Sequence, residues 1–229
     1  GFGAARGTST VAIGGGLADN YPLWSDTKVA FQLGASALSG SIVVTVNGAA
    51  SNGVPFTVRP GNIFFVANTG VDTASGAFAT PWKTIVKAKN TIAAGDIAYI
   101  MDGVSQTALD DYNASLQISS AGAAGKPKAL VAYPGAVVTI GSATGPEFGL
   151  RTPQIAGGPF SFWTIAGFVI RGNNEAIDLE NLSDWRVIAN DLSCPTGGGP
   201  TAVFEGSVST NIKLLGNGTI EGMSESGAT

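Results

Sequence analysis

The chain has 229 residues and a formal net charge of −4, with 44% hydrophobic and only 12% charged residues. It contains no histidine and one cysteine, Cys194, which excludes a Cys/His zinc site, an intrachain disulfide and Ser–His or Cys–His catalysis. Lysine and arginine form no runs, so the sequence lacks the basic footprint of a nucleic-acid-binding protein. The 33 glycines and the sparse charge favour short strands joined by tight turns over a helical bundle.

The first 58 residues are predicted to be rich in β-structure. Alternation of apolar residues and β-branched runs predict four short strands, at residues 10–13, 28–33, 41–46 and 54–58. Asn47 and Gly48 form a strong hairpin-turn signal directly after the third of these strands. Pro55 cannot donate a backbone hydrogen bond, so it indicates an edge position for the last strand.

This region resembles the C-terminal part of a TIG module, an immunoglobulin-like domain also called IPT. The resemblance lies in residues 1–3, in Trp24 to Thr27 and above all in residues 40–58, GSIVVTVNGAASNGVPFTV. It implies a partial sandwich over residues 1–58 that lacks its usual first strand and leaves an open edge for a partner strand. Such a module implies a spacer or a ligand-presenting unit, and residues 59–61 are expected to form a short linker.

The next region predicts a strand, a polar loop, a helix and a second strand in that order. Residues 63–66 form the first strand, and residues 68–80 supply glycines, Asn and Asp for a loop. Thr80 is expected to cap a helix that has Pro81 at its first position, because Thr and Pro are typical of these places. The turn Ala94-Gly95-Asp96 then leads into a strand at residues 97–100.

Later segments repeat loosely, each with alternating apolar residues followed by a Gly or Asn turn. The segments are residues 162–168, 185–192 and 211–217. Ile165 and Ile188 lie 23 positions apart, and Ile188 and Leu215 lie 27 positions apart. A period of 20 to 30 residues with short strands is typical of a solenoid, in which each coil covers the hydrophobic side chains of the next.

Two stretches carry a resemblance to the pectin-lyase-like superfamily, namely residues 61–103 and the pattern GKPKALVAYPGAVVTI at residues 125–140. The resemblance implies an all-β chain in which residues 62–229 form a right-handed parallel β-helix. It also implies that the predicted helix lies across the N-terminal end of the coils, where an apolar interior and unpaired strands would otherwise be exposed. The last rung is followed by no cap, so we expect the β-helix to continue beyond Thr229.

The densest acidic cluster predicts a metal site. Asp178 and Glu180 alternate along a predicted strand, so both should point outward on one face, with Asn181 directly after them. Calcium prefers six to eight oxygen ligands, which makes Ca²⁺ the expected ion. The alternative interpretation is a solvated outer surface with turn asparagines.

Three further residues are candidates for glycan contacts, namely Arg171, Trp185 and Lys213. Arg171 and Lys213 are cations on the later coils and are expected near the acidic cluster. Trp163 and Trp185 occupy equivalent places in two rungs, where an exposed indole could stack on a sugar and a buried one would pack in the core.

Two functions follow from these patterns. One is an extracellular or cell-surface structural or glycan-binding protein that assembles through its open domain ends into a fibre or a surface layer. The other is the N-terminal region of a secreted polysaccharide lyase, which the resemblance implies would act on uronic-acid polymers by β-elimination. The sequence shows no catalytic motif, which leaves enzymatic activity open, and no apolar run long enough to span a membrane.

Overall fold

The structure is a computed structural model that describes residues 1–59, 61–153, 160–194, 204–207 and 209–221, without the side chains of 204–207 and 219–221. The backbone divides into two compact units with their boundary between Arg59 and Pro60. Within the described residues the fold is all-β with a single helix, as the sequence predicts. No described helix has both the length and the apolar character needed to cross a bilayer.

The first unit consists of antiparallel strands around a small core. Its strands are β1 (Thr10–Ile13), β2 (Gly16–Leu17), β3 (Asn20–Trp24), β4 (Val29–Gln32), β5 (Gly40–Val46), β6 (Ala49–Ala50) and β7 (Val54–Phe56). One sheet has the order β2-β1-β5-β6 with β7 also paired to β5, and β3 pairs with β4 in a separate hairpin. The core centres on Val11 and Ile13, which alternate inward along β1.

Turn chemistry fixes the register of this unit. Asn47 and Gly48 have φ values of 50° and 83°, the left-handed conformation of a tight hairpin turn, and they join β5 to β6. Pro55 lies in the short strand β7 opposite Ser41. The predicted strands and turn are therefore confirmed at the level of backbone structure.

The second unit winds its strands into three parallel sheets. The first sheet contains β8 (Ile63–Val66), β9 (Ile97–Ile100), β12 (Lys128–Ala132), β15 (Trp163–Ala166), β18 (Arg186–Ile188) and β21 (Lys213–Leu215). The second contains β10 (Ser105–Gln106), β13 (Thr139–Ile140), β16 (Val169–Arg171), β19 (Asp191–Ser193) and β22 (Gly218–Glu221). The third contains β11 (Ala114–Gln117), β14 (Phe148–Arg151), β17 (Glu175–Glu180) and β20 (Phe204–Ser207).

Each of the four coils that begin at β9, β12, β15 and β18 contributes one strand to each sheet, which is the architecture of a parallel β-helix. The chain runs from β9 to β10 to β11 and then returns to the first sheet at β12, which pairs in parallel with β9. Stacked apolar side chains fill the interior, as in the row formed by Leu130, Ile165 and Val187. Each coil thus covers the core of its neighbour, as the predicted solenoid requires.

The helix α1 (Ile85–Thr91) packs at the beginning of this stack. It contacts β8 and β10, and its apolar side is buried in the main core through Ile85 and Ala88. Because these are first strands of their sheets, the helix covers the end of the β-helix where the coils begin. A capping helix was predicted there, and the structure confirms it.

The predicted start of this helix is wrong, because Thr84 rather than Thr80 is its N-cap. The Thr84 Oγ1 accepts a hydrogen bond from the Lys87 N–H at 3.0 Å. Two residues before Thr84 the chain is still extended, because the Trp82 N–H donates to the Phe65 carbonyl of β8 at 2.9 Å. Pairing with β8 therefore delays the helix by one turn.

The coil period also differs from the predicted one by a single residue. In the parallel register Ile165 faces Val187, whereas Ile188 faces Ala166 on the outer side of the sheet. The step between these coils is therefore 22 residues rather than 23. The following step is confirmed, since Ile188 pairs with Leu215.

An asparagine ladder joins the last coils at the turn that follows the first sheet. Asn190 Oδ1 accepts from the Phe168 N–H at 2.9 Å, and Asn190 Nδ2 donates to the Ile165 carbonyl at 3.1 Å. One coil later Asn217 Oδ1 accepts from the Asn190 N–H at 2.9 Å, and Asn217 Nδ2 donates to the Val187 carbonyl at 2.9 Å. Each asparagine therefore satisfies backbone groups of the preceding coil.

Candidate functional site

The predicted calcium ligands do not share an open outer surface. Asp178 is only 2% exposed, because its strand pairs with β14 and places it beside Arg151. Arg151 Nη2 lies 2.8 Å from Asp178 Oδ2 in a buried ion pair. Glu180 is half-buried, and Asn181 is exposed in a left-handed turn with a φ of 53°. Asp178 thus lies on the outward face of its strand but is covered by neighbouring side chains instead of solvent.

This geometry bears on the predicted metal site. A carboxylate that is desolvated and neutralised by a guanidinium offers a cation little net attraction. Across the described residues, no group of three His, Cys, Asp or Glu side chains is placed to hold a metal ion. Calcium binding by Asp178, Glu180 and Asn181 stays a prediction, one that would require Arg151 to release Asp178.

Trp185 packs in the core and offers no ring face to a sugar. Its side chain is fully buried, its ring centroid lies 6.3 Å from that of Trp163, and its Nε1 donates to the Phe160 carbonyl at 2.6 Å. The packing alternative is therefore the right one for both indoles. The glycan role predicted for Trp185 is corrected to a structural one.

The two predicted glycan-binding cations lie on different sheets. Arg171 ends β16 of the second sheet and donates through Nη1 to Ser193 Oγ at 2.9 Å. Lys213 begins β21 of the first sheet and is exposed. Lys213 lies beside Trp185, whose carbonyl accepts from the Lys213 N–H at 2.9 Å, but the Trp185 ring is buried and Arg171 is on another sheet. The predicted three-residue set therefore does not form one site. A glycan contact by Arg171 or Lys213 alone stays a prediction.

The outer face of the first sheet is a continuous surface built from two rows of side chains. One row consists of Phe65, Tyr99, Val131, Ala166, Ile188 and Leu215. The other consists of Ile63, Ile97, Ala129, Thr164, Arg186 and Lys213. Parallel strands place successive members of a row about 4.8 Å apart. The face is aromatic and apolar on its first coils and cationic on its last ones.

Four aromatic rings form a chain of contacts at the beginning of this face, which we name the aromatic strip: Phe65, Phe78, Tyr99 and Tyr133. The ring centroids of Phe78 and Phe65 lie 5.1 Å apart, those of Phe65 and Tyr99 6.0 Å apart, and those of Tyr99 and Tyr133 5.9 Å apart. Phe78 is 65% exposed and Tyr133 is 39% exposed. Exposed aromatic groups of this kind mark interaction surfaces in soluble proteins.

Residues 63–66 and 97–100 were predicted as strands, but the strip itself was not recognised in the sequence. Its members come from three strands or their ends and from one loop, so no local pattern joins them. The signal that could have found them is parallel register. Once β8 is aligned with β9, the outward positions Phe65 and Tyr99 fall side by side.

The other end of the same face carries two cations, Arg186 and Lys213, which we name the basic pair. They are direct neighbours in the parallel register of β18 and β21, and both are exposed. Neither forms an ion pair with any described residue. Hydrogen bonds from Ser183 and Asn211, with the nearby charges of Lys213 and Arg186, hold the pKa of Asp184 below its usual value. The single carboxylate of Asp184 therefore offsets only part of the positive charge of the basic pair.

The loop at residues 107–113 covers part of the third sheet and is held by buried charges. Asp110 Oδ2 lies 2.6 Å from Lys89 Nζ of the capping helix and accepts from the Gln117 N–H at 2.9 Å. Arg151 Nη1 donates to the Tyr112 carbonyl at 3.1 Å. These contacts fix the loop while its tip stays in solvent, with Leu109 and Tyr112 61% and 56% exposed. We name this segment the 107–113 loop.

Comparison with known proteins gives few relatives. No protein-family model matches the sequence, and no curated protein matches it either. A crystal structure of pectate lyase Pel9A is similar at 14% identity and a TM-score of 0.48, over 68% of this chain and 47% of that one. A rhamnogalacturonan lyase is similar at 14% identity and a TM-score of 0.33, over 69% of this chain and 56% of that one.

The chain therefore spans about half the length of the solved structures that it matches. At this level of similarity neither structure bears on what this chain does.

Proposed function

We propose that the chain is a structural, glycan-binding protein of the cell surface or the extracellular space, with the aromatic strip as its sugar-binding surface. The observation that carries the proposal is the row of partly exposed rings on the first coils of the outer face. The C–H groups of a sugar ring pack against aromatic rings, while its hydroxyl groups need polar partners. The rings of the strip provide the apolar faces, and the hydroxyl groups of its tyrosines provide the polar partners.

Two features of the strip support a sugar as its ligand. Phe78 and Tyr133 are the most exposed rings, so they are the members that a ligand meets first. The hydroxyl groups of Tyr99 and Tyr133 form no hydrogen bond with the described residues, which leaves them free to bind the hydroxyl groups of a sugar. The strip replaces Trp185 in the glycan role that the sequence assigned to it.

The first unit supports the proposed extracellular location of the chain. We propose that residues 1–58 are a TIG-like module that acts as a spacer or a presenting unit. Its antiparallel sheet, its Asn47-Gly48 hairpin turn and its edge strand with Pro55 fit such a module. The low share of charged residues along the whole chain also agrees with an exported structural protein. Copies of the chain are proposed to associate into a fibre or a layer.

Affinity electrophoresis against a panel of neutral and acidic soluble polysaccharides tests the sugar-binding surface. We expect retardation by at least one polysaccharide, and we expect Phe78→Ala and Tyr133→Ala each to weaken it at least about fivefold, the loss typical of an aromatic anchor. Phe56→Ala removes a ring of the first unit that is as exposed as Tyr133 and lies outside the strip, so it serves as the matched control. Binding by none of the polysaccharides, or equal loss in all three variants, would contradict the proposal.

The alternative of a polysaccharide lyase has its own readout. β-Elimination at a uronic-acid polymer leaves an unsaturated product that absorbs in the ultraviolet. We expect no growth of this absorbance when the chain is incubated with pectate or related polymers, with or without Ca²⁺. Steady growth that is lost on heat denaturation would favour the lyase over the structural role.

A further inference from the structure

We infer that the 107–113 loop of one copy binds the basic pair of a second copy, so that molecules join head to tail. This inference deepens the self-association proposed above by naming its two surfaces. It is independent of the aromatic strip, because neither surface includes a member of that strip. The charge and exposure of the two surfaces and their places in the stack of coils support it.

The loop surface combines apolar and acidic groups. Leu109 and Tyr112 expose more than half of their side-chain area, and Asp111 is exposed between them. Glu147 lies beside the loop, where its Oε2 accepts from Asn113 Nδ2 at 3.1 Å. Neither Asp111 nor Glu147 forms an ion pair with a described residue. The surface therefore presents the exposed charge of Asp111 and the half-buried charge of Glu147 next to two apolar side chains.

The opposite surface has the complementary composition. Arg186 and Lys213 are in direct register on neighbouring strands, an arrangement of like charges that destabilises a sheet, and the single carboxylate of Asp184 offsets only part of their charge. Ile188 and Leu215 lie beside them in the other outward row, and Leu215 is 49% exposed. Two cations next to two apolar side chains match the two anions and two apolar side chains of the loop surface.

The 107–113 loop is held in one conformation before a partner binds. Tyr112 and Asn113 have φ values of 49° and 60°, a left-handed conformation that costs free energy in residues other than glycine. The buried contacts of Asp110 with Lys89 and of the Tyr112 carbonyl with Arg151 hold this conformation. Because the loop is already ordered, it loses little conformational entropy when a partner binds.

The two surfaces cannot meet within one molecule. The loop belongs to the coil of β9, and the basic pair lies on β18 and β21, which are three and four strand positions further along the first sheet. Four steps of about 4.8 Å separate the two ends by about 19 Å along the stack. A contact between two different surfaces of identical molecules is heterologous, so it extends into a chain of molecules unless its rotation closes a ring.

Sedimentation velocity over a range of protein and salt concentrations tests this interface. The wild-type chain is expected to associate in a concentration-dependent way at low salt and to dissociate as the salt concentration rises. Lys213→Glu and Asp111→Lys should each weaken association at least about tenfold, because like charges would then face each other. Lys126→Glu makes the same charge change at another exposed lysine and should leave association unchanged.

Mixing the two weakened variants gives the decisive measurement. Asp111→Lys and Lys213→Glu carry opposite reversals, so an equimolar mixture should recover association that neither variant shows alone. Thermal unfolding checks that each variant is folded, and Leu109→Lys replaces Asp111→Lys if the latter unfolds early. A wild-type chain that stays monomeric at low salt, or a mixture that does not recover association, overturns the inference. Glycan binding by the aromatic strip would survive either result, which separates this failure from a failure of the proposed function.

Discussion

The ion pair between Arg151 and Asp178 shows how a single contact changes the chemistry of a site. Both side chains lie on the outward side of the third sheet, yet both are almost completely buried. Removing two charges from water is costly, and the mutual attraction repays that cost only while both partners are present. Loss of only one partner is therefore expected to destabilise the fold more than loss of both.

We expect Asp178→Ala to lower the free energy of unfolding by about 3–5 kcal/mol, because it leaves the Arg151 charge buried without a partner. The double variant Arg151→Met with Asp178→Leu should cost much less, since it removes both charges and fills the space with apolar groups. Urea denaturation measures the two differences. Equal losses in the single and the double variant would show that the charges are not the source of the effect.

A second prediction concerns the carboxyl group of Asp72 and acid stability. Burial raises the pKa of Asp72, but hydrogen bonds from the Thr84 hydroxyl and from the Lys83 and Thr84 N–H groups outweigh it, so the pKa is lowered from its usual value of 3.8. A lowered pKa contributes stability that is complete above the pKa of the unfolded chain and is lost as pH falls through the folded value.

Asp72→Asn should therefore reduce stability at neutral pH and flatten its decline below about pH 4, the range set by the pKa of an unfolded aspartate. Urea denaturation at a series of pH values measures both effects. Asp102→Asn is a suitable control, because it changes an exposed aspartate that accepts one backbone hydrogen bond, from the Val137 N–H. An unchanged pH dependence in Asp72→Asn would contradict the prediction.

The elements of the β-helix were largely predictable, and the positions of two boundaries were not. Alternating apolar residues predicted the strands of the first sheet, because the interior positions of parallel coils must be apolar. Val187 and Ile188 are consecutive apolar residues, so alternation alone does not say which of them points inward. Only the register with β15 shows that Val187 does, and this is why the predicted period was off by one residue.

The start of the capping helix shows the same limit in another form. Thr80-Pro81 is a good local signal for a helix start, but the pairing of Trp82 with β8 overrides it.

The site residues were predicted less well than the strands and the helix, for a related reason. Burial of Trp185 and pairing of Asp178 depend on side chains from neighbouring coils, 22 to 27 residues away in the sequence.

Replacement of the two threonines tests which one caps the helix. Thr84→Ala should lower the free energy of unfolding by about 1 kcal/mol, the usual effect of losing an N-cap hydroxyl, because the Lys87 N–H loses its acceptor. Thr80→Ala removes only an exposed hydrogen bond to Ser75 and should cost about half as much or less. Chemical denaturation of the second unit gives both values. A larger loss of stability in Thr80→Ala than in Thr84→Ala would show that Thr80 caps the helix instead.

At the scale of the whole molecule, each unit has its own hydrophobic core. The first is centred on Val11 and Ile13, and the second extends through all coils of the β-helix. Composition and turn signals were enough to place both units in the all-β class, because their many glycines and β-branched runs suit no other class. The sequence could not reveal the aromatic strip or the basic pair, because each joins residues from different coils.

Matched core truncations should show that the two units unfold independently. Ile13→Ala and Leu130→Ala each remove a fully buried side chain, and each should cost its own unit about 2–5 kcal/mol. Hydrogen exchange followed by peptide mass analysis should find faster exchange only in the unit that carries the substitution. Faster exchange throughout the chain in either variant would indicate a single cooperative body.

The asparagine ladder has a mechanical consequence. Asn217 binds backbone groups of the coil that carries Asn190, and Asn190 binds those of the coil before it. A pulling force applied to the last coil must therefore break the hydrogen bonds of Asn217 before it acts on those of Asn190. A molecule anchored at one end and stretched at the other would lengthen in a series of short steps, one turn of backbone at a time, while the remaining turns keep their shape.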